Sequence, residues 1–381
     1  MRICIVYDCL FPWTVGGGER WYRALAENLV SAGHEVVYLT LRQWDVDKVP
    51  LIPGVQVIAV GPRIALYRNG KRRIVPPLLF GLGVAWHMLF RARRYDHVHT
   101  ASFPFFSVLA LSLLRPLANY SLGIDWHEVW TKAYWRGYLG PLGRIGWWVQ
   151  AWCARVQHIA FVFSQLHRRR LFELGRPAEL LSGEYAGGVK AQSPATVPAV
   201  VLYAGRMITE KRIDLLIAAF DIVRRNQPAC RLVLCGDGPE RNSLEAQVRA
   251  CGLEDRVVFS GFVAEASLDA LMSEAALLVQ PSAREGYGMV VVEAGARAVP
   301  VVIVEGEDNA AVELVASGEN GLVAAANPHA LADAIESVLD DNPEWRLRSG
   351  RWYEVNASRL SLQSSLAKVS EAIAFGKETL I

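Results

Sequence analysis

Ser282-Ala283-Arg284-Glu285-Gly286-Tyr287-Gly288-Met289-Val290-Val291-Val292-Glu293-Ala294-Gly295-Ala296-Arg297-Ala298-Val299-Pro300 is the stretch on which the fold turns. An apolar run over 275–279 precedes it and reads as a buried parallel strand. A tight loop with Gly286 and Gly288 comes next, and an apolar helix is predicted over 289–297. A strand that breaks on glycines and opens a helix offers free backbone N–H groups and a positive dipole end, a site suited to phosphate. Two carboxylates flank the loop, Glu285 before it and Glu293 in the helix. Carboxylates do not serve phosphate, but they accept hydrogen bonds from pairs of sugar or ribose hydroxyls. The stretch therefore points to a ligand that joins phosphates to polyols, such as a nucleotide-sugar.

The chain has 381 residues, enough for two domains of ordinary size. A hydrophobic share of 52% and 31 glycines suit a globular α/β protein. The net charge is +2, but it is unevenly placed: residues 1–185 hold 22 Lys and Arg against 12 Asp and Glu, and residues 186–381 hold 18 against 26. A basic half favours a negative partner. Cys4, Cys9, Cys153, Cys230, Cys235 and Cys251 form no C-x-x-C pair, which excludes zinc-ribbon and thioredoxin readings. They read as core thiols of a reducing, cytoplasmic compartment. No signal peptide is visible, since Arg2 is followed by a very short apolar run and then Asp8. The longest apolar stretch, 74–90, contains Pro76, Pro77, Gly81, Gly83 and His87. It falls short of the ~20 apolar residues of a membrane span.

Residues 2–7 read as a first parallel strand, 10–18 as a glycine-rich loop, 19–32 as a helix stopped by Gly33, and 36–39 as the next strand. This is a βαβ unit and predicts a parallel sheet. Gly16-Gly17-Gly18 is not a dinucleotide fingerprint, because Glu19, Arg20 and Trp21 follow. Residues 63–94 carry eight basic side chains and no acid, around an apolar segment with Phe80, Trp86 and Phe90. That composition suits either an anionic membrane surface or a solvated basic loop before a core helix. No nucleic-acid motif accompanies it. Strands are predicted over 95–100 and 122–124, with an apolar helix over 103–114 between them. The second strand ends in Asp125-Trp126-His127-Glu128. Residues 126–152 are crowded with aromatics, which stack on sugars, sit at membrane interfaces or simply pack a core.

A polar segment, 187–197, reads as the link to a second domain. The strand 200–203 leads into Arg206 and Lys211 and a helix from about Ile213. Fixed positive charge belongs here in a diphosphate site, where it meets the charge that develops on a leaving phosphate. A strand over 231–235 ends in Gly236-Asp237-Gly238-Pro239, and a strand over 257–259 ends near Gly261-Phe262-Val263.

Glu285-Gly286-Tyr287-Gly288 with Glu293 eight residues on resembles the E-x7-E element of family-four retaining glycosyltransferases. The resemblance spans nearly the whole chain and is strongest over 200–322. It implies the α/β GT-B fold, two Rossmann-like domains with parallel sheets facing a cleft. The expected division is 1–186 for the acceptor domain, 187–197 for the linker, 198–355 for the donor domain, and 356–381 as a helix crossing back. It assigns Arg206, Lys211, Gly16 and Gly17 to the donor diphosphate, and Gly286, Tyr287 and Gly288 to the donor sugar. Glu293, Gly236, Gly238, Phe262 and Val263 go to ribose and nucleotide. Glu285 and His127 are the catalytic candidates, with His99 behind His127. The turn Ser182-Gly183-Glu184-Tyr185 departs from the Asn-Gly-Val-Asp of many relatives.

The resemblance further implies transfer from a UDP- or GDP-sugar to a carbohydrate or lipid-linked acceptor. Neither cofactor nor metal is expected. The D-x-D sequence Asp45-Val46-Asp47 lies in the first half, away from the donor residues. Nucleotide-sugar 2-epimerases share the fold and stay open as an alternative, as does a non-catalytic carbohydrate binder. A Rossmann oxidoreductase would need G-x-G-x-x-G, and Gly236-Asp237-Gly238-Pro239-Glu240-Arg241 lacks its last glycine.

Overall fold

The structure is a computed structural model and describes residues 1–45, 50–68, 71–190 and 195–378. Asp47 of the D-x-D sequence lies outside the described residues. The chain forms two compact units, Met1–Glu184 with Gln363–Ile381, and Tyr185–Leu362.

In chain order the first unit contains β1 (Arg2–Val6), α1 (Gly17–Ser31), β2 (Glu35–Leu41), β3 (Val55–Gly61) and a short antiparallel pair, β4 (Tyr67–Arg68) and β5 (Lys71–Arg72). Then come α2 (Val75–Arg91), β6 (His97–Ala101), α3 (Phe106–Leu114), β7 (Ser121–Trp126), α4 (Lys132–Leu139), α5 (Gly143–Arg155), β8 (Ile159–Val162), α6 (Gln165–Glu173) and β9 (Glu179–Leu180). Seven strands form one sheet in the order β3-β2-β1-β6-β7-β8-β9, every pair parallel. β1, β6 and β7 are buried almost throughout, as strands covered by helices on both faces are, although β6 and β7 carry His97, His99, Thr100, Ser121 and Asp125 into the interior. The observed β6 starts two residues after its predicted start. The predicted helix over 103–114 begins only at Phe106, because Phe105 adopts a left-handed φ of 65°.

α2 settles the apolar stretch 74–90. Pro76 and Pro77 sit in its first turn, where missing N–H groups cost nothing. Gly83 is required by close approach: a Cβ there would lie 1.7 Å from the Val60 carbonyl oxygen. Phe80, Val84 and Met88 join the core of this unit. By length and composition alone Val75–Arg94 could cross a membrane, but 44% of that window is buried against the rest of the protein.

The second unit contains β10 (Val200–Ala204), α7 (Ile213–Asn226), β11 (Arg231–Cys235), α8 (Arg241–Ala250), β12 (Val257–Gly261), α9 (Glu265–Glu274), β13 (Leu277–Gln280) and β14 (Arg284–Glu285). It continues through α10 (Met289–Gly295), β15 (Val301–Val304), β16 (Asp308–Asn309), β17 (Gly321–Ala324), α11 (Pro328–Asp340) and α12 (Asn342–Leu360). Its main sheet runs β12-β11-β10-β13-β15-β17, again all parallel. The helix predicted over 289–297 closes at Gly295, two residues early.

The segment expected to link the domains is bonded to the second unit. Lys190 donates its N–H to the Ala296 carbonyl at 2.9 Å and Thr196 to that of Glu274 at 3.0 Å. Residues 191–194 lie outside the described residues. A last helix, α13 (Leu362–Glu378), returns to the first unit from Gln363. The return starts after 356 because α12 continues to Leu360.

Candidate functional site

β10 and β13 are neighbours, yet the chain leaves them toward opposite edges of the sheet, β11 and β12 on one side and β15 and β17 on the other. Such a switch point parts the loops that follow the two strands and opens a crevice at their carboxyl ends. The Arg206–Lys211 segment leaves β10 there, and 281–288 leaves β13. A backbone bond from Ala283 N–H to the Glu210 carbonyl, 2.9 Å, ties the loops together.

Lys211 closes a short 3-10 turn, Thr209–Lys211, and its Nζ donates to Glu285 Oε1. The same oxygen accepts from Gln280 Nε2 at 2.7 Å and from Ser282 Oγ at 2.8 Å. Both partners of the ion pair are mostly buried. Burial pushes the Glu285 carboxyl up, but Lys211, Ser282 and Gln280 outweigh it and hold the group below its ordinary value. Asn309 Nδ2 pins this loop through the carbonyls of Ser282, 3.0 Å, and Val304, 2.8 Å. Arg206 is exposed, and its carbonyl accepts from Tyr203 Oη at 3.0 Å. Burial raises the Tyr203 phenol, Glu285 raises it further and Arg206 opposes, so both charges act on one ring.

Gly236 and Gly238 let the loop after β11 lie against the loop after β10. A Cβ on Gly236 would fall 1.9 Å from the Gly205 oxygen, and one on Gly238 2.2 Å from the Met207 oxygen. Phe262 stands 78% exposed beyond β12, next to the half-buried Val263. Gly288 caps α10 with a φ of 102°, Gly286 precedes it, and Tyr287 is buried. Glu293 is half-buried on α10, and Arg297 Nη1 donates to its carbonyl at 2.5 Å while Nε donates to Asp269 Oδ1 at 2.6 Å.

In the first unit the switch lies between β1 and β6. Gly16 and Gly17 open α1 after β1, Gly16 half-buried and Gly17 exposed. His127 follows β7 and stacks on Phe163, with centroids 4.5 Å apart and planes 8° apart. Its Nε2 is buried with no hydrogen-bond partner among the described residues. Burial first, then His99, lowers the His127 pKa against the pull of Asp125, so the ring is neutral. His99 takes a different part from the one expected. It is wholly buried and bonds Asp125 Oδ1 at 2.9 Å, while Trp21 Nε1 donates to Asp125 Oδ2 at 2.8 Å. His99 and Asp125 thus belong to a core network. Sequence reading missed Gln280, Ser282, Asn309 and Asp125. Gln280 carried a signal, a polar residue ending an apolar strand.

Residues 15–182 match the family described as Glycosyltransferase Family 4, and residues 190–351 match Glycosyl transferases group 1. The chain belongs to the family-four glycosyltransferases.

The glycogen synthase of Mycobacterium tuberculosis is 27% identical to this glycosyltransferase, over 90% of this chain and 86% of that one. The α-D-kanosaminyltransferase of Streptomyces kanamyceticus is 37% identical over a shorter stretch, 39% of this chain and 38% of that protein. Solved structures of the same fold include sucrose-phosphate synthase from Thermosynechococcus elongatus, with a TM-score of 0.80, 20% identity and 97% of each chain covered. Anabaena HepE in complex with UDP-glucose superposes with a TM-score of 0.71 at 16% identity, over 98% of this chain and 99% of that one. The fold of this glycosyltransferase is GT-B, with one parallel-sheet α/β domain in each unit. Its E-x7-E glutamates sit on β14 and α10.

Proposed function

We propose that the enzyme takes a UDP- or GDP-sugar and moves the sugar, with its anomeric configuration retained, to a glycan or lipid-linked acceptor. The convergence of Lys211, Gln280 and Ser282 on one oxygen of Glu285, beside Arg206, carries this reading. HepE is described with UDP-glucose, and a relative 31% identical over 40% of this chain is named as a GDP-mannose-dependent mannosyltransferase of Mycobacterium tuberculosis. Both names support a nucleotide-sugar donor.

In this reading Glu293 accepts from the ribose hydroxyls, and Gly236, Gly238, Phe262 and Val263 line the nucleotide. Glu285 and the backbone N–H groups of Gly286, Tyr287 and Gly288 hold the donor sugar. Lys211 has three N–H donors, so one bond to Glu285 leaves two for phosphate oxygens. The acceptor oxygen bonds to C1 as the C1–O bond to phosphate breaks. The acceptor proton passes to the departing phosphate on the same face. Arg206 and Lys211 meet the charge that develops there without reorganising, so the step needs no metal. His127, Gly16 and Gly17 are the first unit's contribution to donor and acceptor contact. Residues 63–94 meet an anionic membrane surface at its cytoplasmic side.

The test is a panel of UDP-, GDP- and ADP-sugars scored for binding and slow hydrolysis, with and without EDTA. One donor should bind and turn over in EDTA, and NMR of the product should show retention. Absence of donor binding refutes the reading, and loss of turnover in EDTA refutes metal independence. Release of a free epimer without acceptor supports a 2-epimerase, and a donor bound but never consumed supports a non-catalytic binder.

A further inference from the structure

More than half of the exposed large apolar side chains among the described residues lie between residues 74 and 152. They fall in helical stripes. On α2 and the residue before it, Ile74, Val75, Leu78, Leu82, Trp86 and Leu89 stand exposed at spacings of one helical turn, opposite the core-facing Phe80, Val84 and Met88. On α5 and the residue before it, Leu142, Ile145, Trp148 and Trp152 repeat the pattern. An ordinary surface helix turns a polar side outward. These two turn apolar and aromatic sides outward, with Trp86 68% and Trp148 61% exposed.

The chain just past α2 and the ends of α3 and α5 meet at one groove. Arg93, just past α2, donates from Nε to the Leu117 carbonyl at 3.1 Å, which joins the end of α2 to the turn after α3. Arg93, Leu113, Arg115, Leu117 and Trp152 then wall a single groove of about 1130 Å³. Asp96 also lines it, half-buried, but the exposed charge around it is basic. Arg91, Arg93, Arg94, Arg144 and Arg155 are exposed. Between residues 74 and 172 the acids are Asp96, Asp125 and Glu128. Asp96 accepts the Arg2 N–H at 2.8 Å, Asp125 is wholly buried, and Glu128 accepts from the Trp130 indole at 2.6 Å.

We infer that α2, the end of α3 and α5 together form a docking face for an anionic lipid bilayer. This rests on the membrane contact proposed for residues 63–94 and extends it to α3 and α5, choosing the membrane among the three readings that the aromatics of 126–152 left open. An apolar centre wants hydrocarbon, tryptophans favour the headgroup level, and an arginine rim wants anionic lipid. A second copy of this chain would set the two arginine rims against each other. A nucleic acid would leave the aliphatic centre uncovered.

The test is co-sedimentation of the full chain with vesicles of phosphatidylcholine alone or mixed with phosphatidylglycerol, at low and high salt. Three paired variants are compared, L82S with W86S, W148S with W152S, and R144Q with R155Q. All six side chains are exposed, and thermal unfolding checks that each variant folds. The wild type should bind the mixed vesicles only, and less at high salt. Each pair should lose about tenfold or more in binding, as interfacial anchors and rim charges act together. No binding to mixed vesicles, equal binding to both kinds, or wild-type binding by the α5 pair would overturn the inference. So would a concentration-dependent dimer or RNA binding that the same variants abolish. Vesicle binding requires no sugar donor, so its failure leaves the transferase reading standing, and failed turnover leaves the face standing.

Discussion

Lys211 and Glu285, from the loops that leave two adjacent strands, are bonded to each other while Gln280 and Ser282 share the same carboxylate oxygen. Removing one partner strands the other's charge in a mostly buried place. Lys211→Met should therefore destabilise the second unit by about 3–5 kcal/mol. Pairing Lys211→Met with Glu285→Gln removes both charges and keeps an amide for Ser282. Most of the stability should return, while kcat stays down by about a hundredfold or more. Denaturant unfolding and donor hydrolysis on the four proteins of the cycle check this. Recovery of turnover along with stability would make the pair structural.

The pair also sets a pH dependence. Glu285 is held below its ordinary 4.5, so its contribution is complete above that value and lost as pH falls through the lowered one. In the first unit the sign is the same for a different reason. Burial keeps His87 and His158 neutral, with pKa values of about 4 against 6.5, and His97 and His127 are lowered too. The unfolded chain takes up these protons first, so stability should fall from pH 6.5 toward 4. Full loss at His158 corresponds to roughly 3 kcal/mol. Urea midpoints across that range should decline for the wild type and less steeply for His158→Gln. A flat profile would contradict the burial.

Three glycines separate folding from ligand contact. A Cβ on Gly17 would meet nothing within 4 Å, whereas one on Gly236 or Gly238 would strike backbone oxygen. Gly17→Ala should leave Tm nearly unchanged, so any drop in turnover reports on ligand contact. Gly236→Ala and Gly238→Ala should each cost about 2 kcal/mol or more and weaken nucleotide binding, because the two loops must part. Calorimetry and titration with the donor nucleotide distinguish the two kinds.

Phe262 projects into solvent, so Phe262→Ser should change stability by no more than about 0.5 kcal/mol. If its ring stacks on the base, nucleotide affinity should fall about tenfold, near the lower limit for base–aromatic stacking. Unchanged affinity would remove Phe262 from the site.

Much of the second unit was legible because its strands are short apolar runs that end on glycine or charge. Arg206, Lys211 and Glu285 follow strands directly, and parallel-sheet logic places such loops at one end. Gln280 and Ser282 were harder to find, since their role depends on a turn that bends back onto Glu285. The first unit misled where local composition has two packings. His99 and His127 both lie near strand ends in the sequence, but His99 falls inside β6, which is buried on both faces, and His127 falls just past β7, half-buried beside the loop. Trp148 and Trp152 share helical spacing with a core, and which side of α5 faces inward depends on how Trp135 of α4 packs on Gly146, a contact between helices that spacing within one helix does not show.

α13 has a consequence for how the protein is made. Its Leu366, Val369 and Ile373 are buried, its Ser365 Oγ accepts the Gly183 N–H at 3.0 Å, and Ser370 bonds Asn28 at 3.1 Å. On a ribosome the first unit therefore emerges early yet lacks its closing helix until the entire second unit has been synthesised. The later-made unit can reach its finished form first, and the earlier one waits with an apolar strip uncovered, a natural client for a chaperone.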